Sequence, residues 1–340
     1  MADNQWLTTL WLVLAVVVVA TQGLRLGSFN IKIFNTTKGH KDHVMGYLAK
    51  TAVRYDIMAI IELRDPSLWA LKQLVQRIKS DHGVDMKYIA TGSIGKAVIH
   101  IEQYAFLYRE DKGISVVDSY LYDDGDEAKG TDVFEREPFM VRFRAPNCVV
   151  SDLALVAFHP PPSDALHDLK LLIPVYEDVR KTWPDSHVII LGDLNADCRS
   201  VPKEAWPQIE IRQRPEFYWP IDDDADTMVK DRSMCAYDRF ILAGQALKDA
   251  VVPGSAKPFN TREEYGLTET QALEVSDHYP IELVLRDASD PVGSSSTLVG
   301  GLWNLWTGHY IIIIILIVIA FLIFRRRSAV YGNFGIAKRT

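Results

Sequence analysis

A chain of 340 residues that is 48% hydrophobic and 24% charged has the composition of an ordinary globular protein, which excludes disordered and collagen-like classes. Its formal net charge of −7 excludes attraction of a polyanion by overall charge. The body is more acidic still, because Arg325, Arg326, Arg327, Lys338 and Arg339 all lie in the last sixteen residues.

The first predicted element is the apolar run Trp6 to Ala20 (WLTTLWLVLAVVVVA), which has the length of a secretory h-region. Thr21, Gln22 and Gly23 are small or polar, so residues 1–23 read as a signal peptide cleaved after Gly23. The n-region contains Asp3 and no Lys or Arg, which keeps a retained anchor as the alternative. Entry into the secretory pathway permits one disulfide among Cys148, Cys198 and Cys235. It also makes Asn35-Thr36-Thr37 a usable glycosylation sequon.

From residue 24 to 287, short apolar runs alternate with helical stretches, predicting a layered α/β domain. LGSFNI, DIMAIIE, YAFLYR, EPFMVRF, LALVAFH, VIILGD, DRFILAG and YPIELVLR each have strand length and β-branched or aromatic content. Between Asp164 and Trp183, apolar residues recur at helical spacing, with Pro174 predicted to kink the helix. No internal repeat is present.

Several strands end in a side chain that ionises, binds metal or donates to phosphate. Asn30 closes LGSFN, Glu62 closes DIMAIIE and His159 closes LALVAFH. Asp193 closes VIILGD with Asn195 two residues on, and Asp277-His278 opens the last strand. Each has a plain structural reading: Asp193 as a turn cap, His159 as a core histidine, Glu62 paired with Arg64, Asp238 paired with Arg239. The set as a whole favours a site, because strand ends of a packed scaffold are where ligands meet rigidly held groups.

Such a set suits phosphodiester hydrolysis, which needs an activated water, stabilised phosphoryl oxygens and a proton or metal for the departing alkoxide. Glu62 and Asp193 are hard oxygen ligands fit for Mg²⁺ or Mn²⁺, and Asn30 and Asn195 add ligating or hydrogen-bonding groups without charge. Two histidines can divide acid and base work if carboxylates fix their tautomers, and Glu102 and Asp238 are the candidate partners. No Cys-rich zinc spacing, P-loop or GxSxG elbow competes.

Residues 288–302 form a Ser-rich stalk, followed by the apolar run Tyr310 to Phe324. That run alone spans about 22 Å as a helix, and extension back to Trp303 gives about 33 Å, enough to cross a bilayer. Residues 303–324 are therefore predicted as a transmembrane helix with Trp303 and Trp306 in the interface. Arg325, Arg326 and Arg327 place the tail, residues 325–340, in the cytoplasm, which makes this a single-pass type I membrane protein with an extracellular or luminal body. A glycolipid anchor near Ser294, Ser295 and Ser296 is the rival reading, disfavoured by the arginine-led tail. Tyr331-Gly332-Asn333-Phe334 resembles a sorting signal for an adaptor.

FN at 29–30, IIELRD at 60–65, GDLNAD at 192–197 and SDHYPIE at 276–282 together resemble the endonuclease/exonuclease/phosphatase superfamily. YDDG at 122–125, FEREP at 134–138, CAYDRF at 235–240 and VVPGSAKPFN followed by YGL at 265–267 resemble its deoxyribonuclease I branch. The resemblance implies a four-layer α/β sandwich, monomeric, that nicks double-stranded DNA from the minor groove and leaves 5′-phosphate ends. It pairs His159 with Glu102 and His278 with Asp238, and gathers Glu62, Asp193, Asn30, Asn195 and Asp277 into a metal and phosphate cluster. It makes Arg64 and Arg136 phosphate contacts, Cys198 and Cys235 a disulfide, and Asp124, Asp132 and Glu137 a structural Ca²⁺ site, with Asp226 a remnant of a second.

Three departures from the family pattern stand out. Asp126 and Lys129 occupy the positions of its small disulfide, Ile61 replaces a polar residue, and His100 stands where a tyrosine packs on DNA. The alternatives are therefore a superfamily phosphodiesterase acting on phospholipid or inositol phosphate, and a non-catalytic surface DNA-binding protein.

Overall fold

The computed structural model describes residues 23–98 and 101–290. His100, the apolar run before Gly23, the transmembrane segment, the cytoplasmic tail and all but the first residues of the stalk lie outside the described residues. Among the described residues, no helix is long and apolar enough to cross a membrane.

Twelve strands are described: β1 (Leu24–Phe34), β2 (Ile57–Leu63), β3 (Lys87–Ala90), β4 (Gln103–Tyr108), β5 (Ser115–Leu121), β6 (Phe139–Arg144), β7 (Asp152–Ala157), β8 (His187–Asp193), β9 (Phe217–Tyr218), β10 (Asp238–Ala243), β11 (Lys257–Pro258) and β12 (Ile281–Leu285). They form two six-stranded sheets, ordered β11-β12-β1-β2-β4-β3 and β5-β6-β7-β8-β10-β9. Each sheet has one parallel pair near its centre, β1 with β2 and β7 with β8, and antiparallel neighbours elsewhere. Strands buried on both faces read as continuous apolar runs, which is why IMAIIEL and HVIILGD were legible as strands.

The sheets face one another across a core in which Leu26, Ala59, Ile61, Tyr104 and Phe106 from one meet Val141, Phe143, Leu155, Leu191 and Phe240 from the other. On the outer face of the first sheet, Phe29, Ile31, Met58 and Ile60 pack with Val44, Leu48, Leu71 and Leu74 of helices Asp42–Ala52 and Trp69–His82. On the outer face of the second, Val156, Val188 and Ile190 pack with Leu169, Leu172, Val175 and Val179. The layers thus run helix, sheet, sheet, helix, with alternate residues of each strand serving the two sides. Ile61 lies in the inter-sheet core, so its apolar side chain is a packing group rather than a lost hydrogen-bonding partner of Glu62.

The predicted helix from 164 to 183 is broken rather than kinked, into Ala165–Lys170 and Leu172–Thr182. Proline has no N–H to bond the carbonyl four residues back, and its ring clashes there. Ending one helix at Lys170 places Pro174 in the first turn of the next, where that N–H has no helical partner to lose.

Candidate active site

The central parallel pairs bring four residues to one edge of the sandwich. Three of them lie near strand ends, and one, Asn30, lies within β1 where its regular pairing with β2 stops, because β1 runs on to Phe34 rather than closing at Asn30. β1 contributes Asn30, β2 Glu62, the segment after β7 His159, and β8 Asp193. Asp193 is the antiparallel partner of Asp238 at the start of β10. Gly192 is required here: its φ is 148° and a Cβ would come within 2.0 Å of the Phe158 carbonyl oxygen, so only glycine lets the His159 segment lie against β8.

Two histidine–carboxylate pairs converge on one oxygen. His159 Nδ1 lies 2.6 Å from Glu102 Oε1, and His278 Nδ1 lies 2.8 Å from Asp238 Oδ2. The opposite nitrogen of each ring, Nε2, lies 3.4 Å from the same Asp193 Oδ2. Asn30 Nδ2 donates to that oxygen at 2.9 Å and to Glu62 Oε1 at 3.0 Å, joining the sheets across the site. The Asn195 N–H donates to Asp193 Oδ1 at 3.1 Å, and Asn195 Nδ2 donates to the Pro160 carbonyl at 3.1 Å. Glu62 and Asn195 have left-handed backbone, φ 60° and 47°, a strain that clusters at functional sites.

Electrostatics follow this geometry. Burial works against protonation of His159, but Glu102 and Asp193 outweigh it and raise the imidazole's pKa. Burial opposes protonation of His278 likewise, and Asp238 with Asp193 reverse the effect and raise its pKa. Burial pushes the Asp193 carboxyl up, yet the two histidines and Asn30 hold its pKa below the ordinary carboxylate value. Glu62 is lowered in the same way, with burial outweighed by His159, Asn30 and the Ile33 N–H.

Two of the predicted residues are placed differently. Arg136, expected at a phosphate, is buried to 2% exposure, and its guanidinium donates to the His159 carbonyl at 2.9 and 2.6 Å while pairing with Glu102 at 3.1 Å. It stands behind the His159–Glu102 pair, because a buried guanidinium requires such acceptors. Asp277, expected among the metal ligands, pairs with Lys32 Nζ at 2.5 Å. Lys32 reaches it because left-handed backbone at Lys32 and Ile33 turns the end of β1 toward the last strand. Arg64 lies 3.6 Å from Glu62 and 3.7 Å from Glu102 and is partly exposed.

Among the described residues, two groups of three metal-ligating side chains have donor atoms within 4.8 Å of one another: Asp193, Asp238 and His278, and Asp124, Asp132 and Glu137. Burial, with the neighbouring carboxylates adding to it, raises Asp124 and Glu137 above the usual carboxylate range, and the Asp124 carboxylate accepts from the Val133 and Phe134 N–H groups. Asp126 and Lys129 form an exposed ion pair at 2.7 Å. Asp226 accepts from the Met228 N–H and belongs to neither acidic group. Cys198 and Cys235 are disulfide-bonded, and Cys148 is free and buried. Asn35 caps the helix Thr36–Gly39 through its side-chain oxygen.

A profile of the Endonuclease/Exonuclease/phosphatase family matches residues 27–278. The chain is 41% identical over 282 residues to Deoxyribonuclease-1 of Oryctolagus cuniculus, covering 83% of this chain and 99% of that protein. It is 40% identical over 279 residues to Deoxyribonuclease-1 of Equus caballus, covering 82% and 98%. The fold is similar to that of a functionally unknown conserved protein from Enterococcus faecalis, with TM-score 0.52 and 11% identity over 78% of this chain and 100% of that one. The chain belongs to the endonuclease/exonuclease/phosphatase family and, within it, is an enzyme of the deoxyribonuclease I branch.

Proposed function

We propose that this enzyme is a divalent-cation-dependent endonuclease that hydrolyses phosphodiester bonds of double-stranded DNA and leaves 5′-phosphate ends. The observation that carries this reading is the convergence of two histidine–carboxylate pairs on Asp193 Oδ2, each Nε2 at 3.4 Å. With Nδ1 of each ring held by a carboxylate, Nε2 is the atom left to exchange a proton with substrate. His278, oriented by Asp238, takes the proton of the attacking water, and His159, oriented by Glu102, protonates the departing oxygen. Asp193, itself held by Asn30, gives both rings a common neighbour, which supplies the positional part of the rate. Glu62 and Asp193 offer carboxylate oxygens that fit a hard divalent ion such as Mg²⁺ or Mn²⁺. Asn30, whose amide nitrogen links the two carboxylates, and Asn195, whose N–H donates to Asp193, are the uncharged members of that set. Such an ion, when bound, neutralises charge on the phosphoryl oxygens. Arg64, partly exposed beside Glu62, is proposed to contact a substrate phosphate.

The test is nicking of supercoiled plasmid by the full chain with Mg²⁺ and Ca²⁺. Relaxed circles bearing 5′-phosphates are the expected product. DNA bound but never cut under any metal condition would support a surface DNA-binding protein instead, and faster turnover of sphingomyelin than of DNA would support a lipid phosphodiesterase.

Asp124, Asp132 and Glu137 are proposed to hold a structural Ca²⁺. The site fits in charge: three carboxylates converge, and Glu137 Oε2 is buried without a hydrogen bond among the described residues. An exposed pair such as Asp126–Lys129 is screened by solvent and contributes little to holding a loop. Chelation of Ca²⁺ is therefore expected to make residues 122–137 the first site of proteolytic cleavage, and Asp124→Asn to do so with Ca²⁺ present. Mapping the first cut by mass spectrometry checks this.

The signal peptide, stalk, transmembrane helix, cytoplasmic tail, adaptor motif at Tyr331 to Phe334 and glycosylation of Asn35 are proposed from sequence alone. Together they make the enzyme a secretory-pathway membrane protein acting outside the cytoplasm.

A further inference from the structure

Lys38 lies in the short helix Thr36–Gly39, and its Nζ donates to three backbone carbonyls. These are Ile31 O at 2.6 Å, Lys32 O at 2.6 Å and Val275 O at 2.9 Å. An ammonium has three protons, so these acceptors use all of them and leave none for a phosphate oxygen.

The acceptors belong to the two halves of the site. Ile31 and Lys32 directly follow Asn30, at the point where Lys32 and Ile33 take φ of 46° and 52°. That turn lets the Lys32 N–H reach Asn30 Oδ1 at 2.8 Å and the Ile33 N–H reach Glu62 Oε2 at 2.9 Å. Left-handed backbone at non-glycine residues is strained and persists only where surrounding contacts impose it. Val275 ends the helix Glu269–Val275 and directly precedes Ser276, whose hydroxyl donates to the Asn30 carbonyl at 2.6 Å and accepts the His278 N–H at 3.1 Å.

We propose that Lys38 is a positioning residue whose ammonium clasps the Asn30–Glu62 half of the site to the His278 half, rather than a contact for substrate. Its kinetic consequence rests on the nuclease reading, whereas its structural consequence does not. A group that only holds others in place affects kcat, and a phosphate contact affects KM.

The experiment compares Lys38→Met and Lys38→Arg in the full chain. In Lys38→Met, kcat for plasmid nicking is expected to fall by at least about 30-fold with KM nearly unchanged, and Lys38→Arg, which keeps charge and donors, to recover most of it. Independently of activity, amide exchange at residues 31–34 and 276–278 is expected to quicken by at least about tenfold while β8 keeps its protection. Unchanged exchange in those two segments, or a raised KM with kcat intact, would overturn the proposal. Should Lys38→Met fail to fold, Lys38→Gln, which keeps two donor protons, is expected to show the same local quickening, and its absence there also overturns it. Failure of the wild type to nick DNA counts against the nuclease reading alone, because the exchange measurement still decides the clasp.

Discussion

His159→Ala and His278→Ala are each expected to lower kcat for DNA nicking by about 10²–10⁴-fold, the range of positioned acid–base catalysis. Both rings are almost fully buried, and each is locked through Nδ1 to a carboxylate of its own. Their Nε2 atoms meet at one Asp193 oxygen, so in the proposed mechanism the two act on the same bond and their losses are expected not to be additive. The double variant is expected to be far less impaired than the product of the single losses. Asp238→Asn adds a sign that a structural defect does not share. Asp238 helps to raise the pKa of His278 against the effect of burial, so its removal lowers that pKa and moves the acid limb of kcat to lower pH. A pH–kcat series on purified variants checks both, and single histidine variants within threefold of wild type would falsify the assignment.

Cys198→Ala/Cys235→Ala carries the largest expected loss of stability. The bond links residues 37 apart, for which loop closure corresponds to about 3–4 kcal/mol. In a domain of this size that lowers Tm by roughly 10 °C. The bonded loop leaves from just beyond Asp193 and returns just before Asp238, the two carboxylates paired across β8 and β10. Asp197 ties the same place independently by accepting the Ala236 N–H at 2.9 Å, and it is buried. Calorimetry is therefore expected to show the fall in Tm while kcat at room temperature stays near that of the parent. A parallel collapse of kcat in the folded double variant would mean that the disulfide, not Asp197, sets the carboxylate geometry.

The strand-end residues were legible because a fully buried strand of a layered fold is an apolar run, and the first polar residue after it marks the edge of the core. Glu62, His159 and Asp193 carry that mark, whereas Asn30 is a buried polar residue inside β1, which continues to Phe34. What escaped the pattern had a physical reason. β5 is an edge strand with mixed polarity and exposed Val117 and Leu121, and β9 and β11 are two residues long, too short for any period to show. The pairing of Asp277 with Lys32 depends on left-handed backbone at Lys32 and Ile33, which nothing in the side chains announces. Arg136 was assigned to a surface phosphate by resemblance, and only three-dimensional packing reveals that it lies beneath His159. The pairings of His159 with Glu102 and His278 with Asp238 came from resemblance too, since separations of 57 and 40 residues carry no periodic signal.

The pairing of β1 with β12 has a topological consequence. Leu24 is the antiparallel partner of Leu285, so the domain begins and ends on adjacent strands at the same rim. Asn30 lies six residues along β1 from that rim, or about 20 Å at the rise of an extended strand. The two ends are close enough to be joined by a short linker without approaching the histidines. A circular permutant opened at an exposed loop, or a catalytic domain immobilised by either end, would keep its reaction centre free.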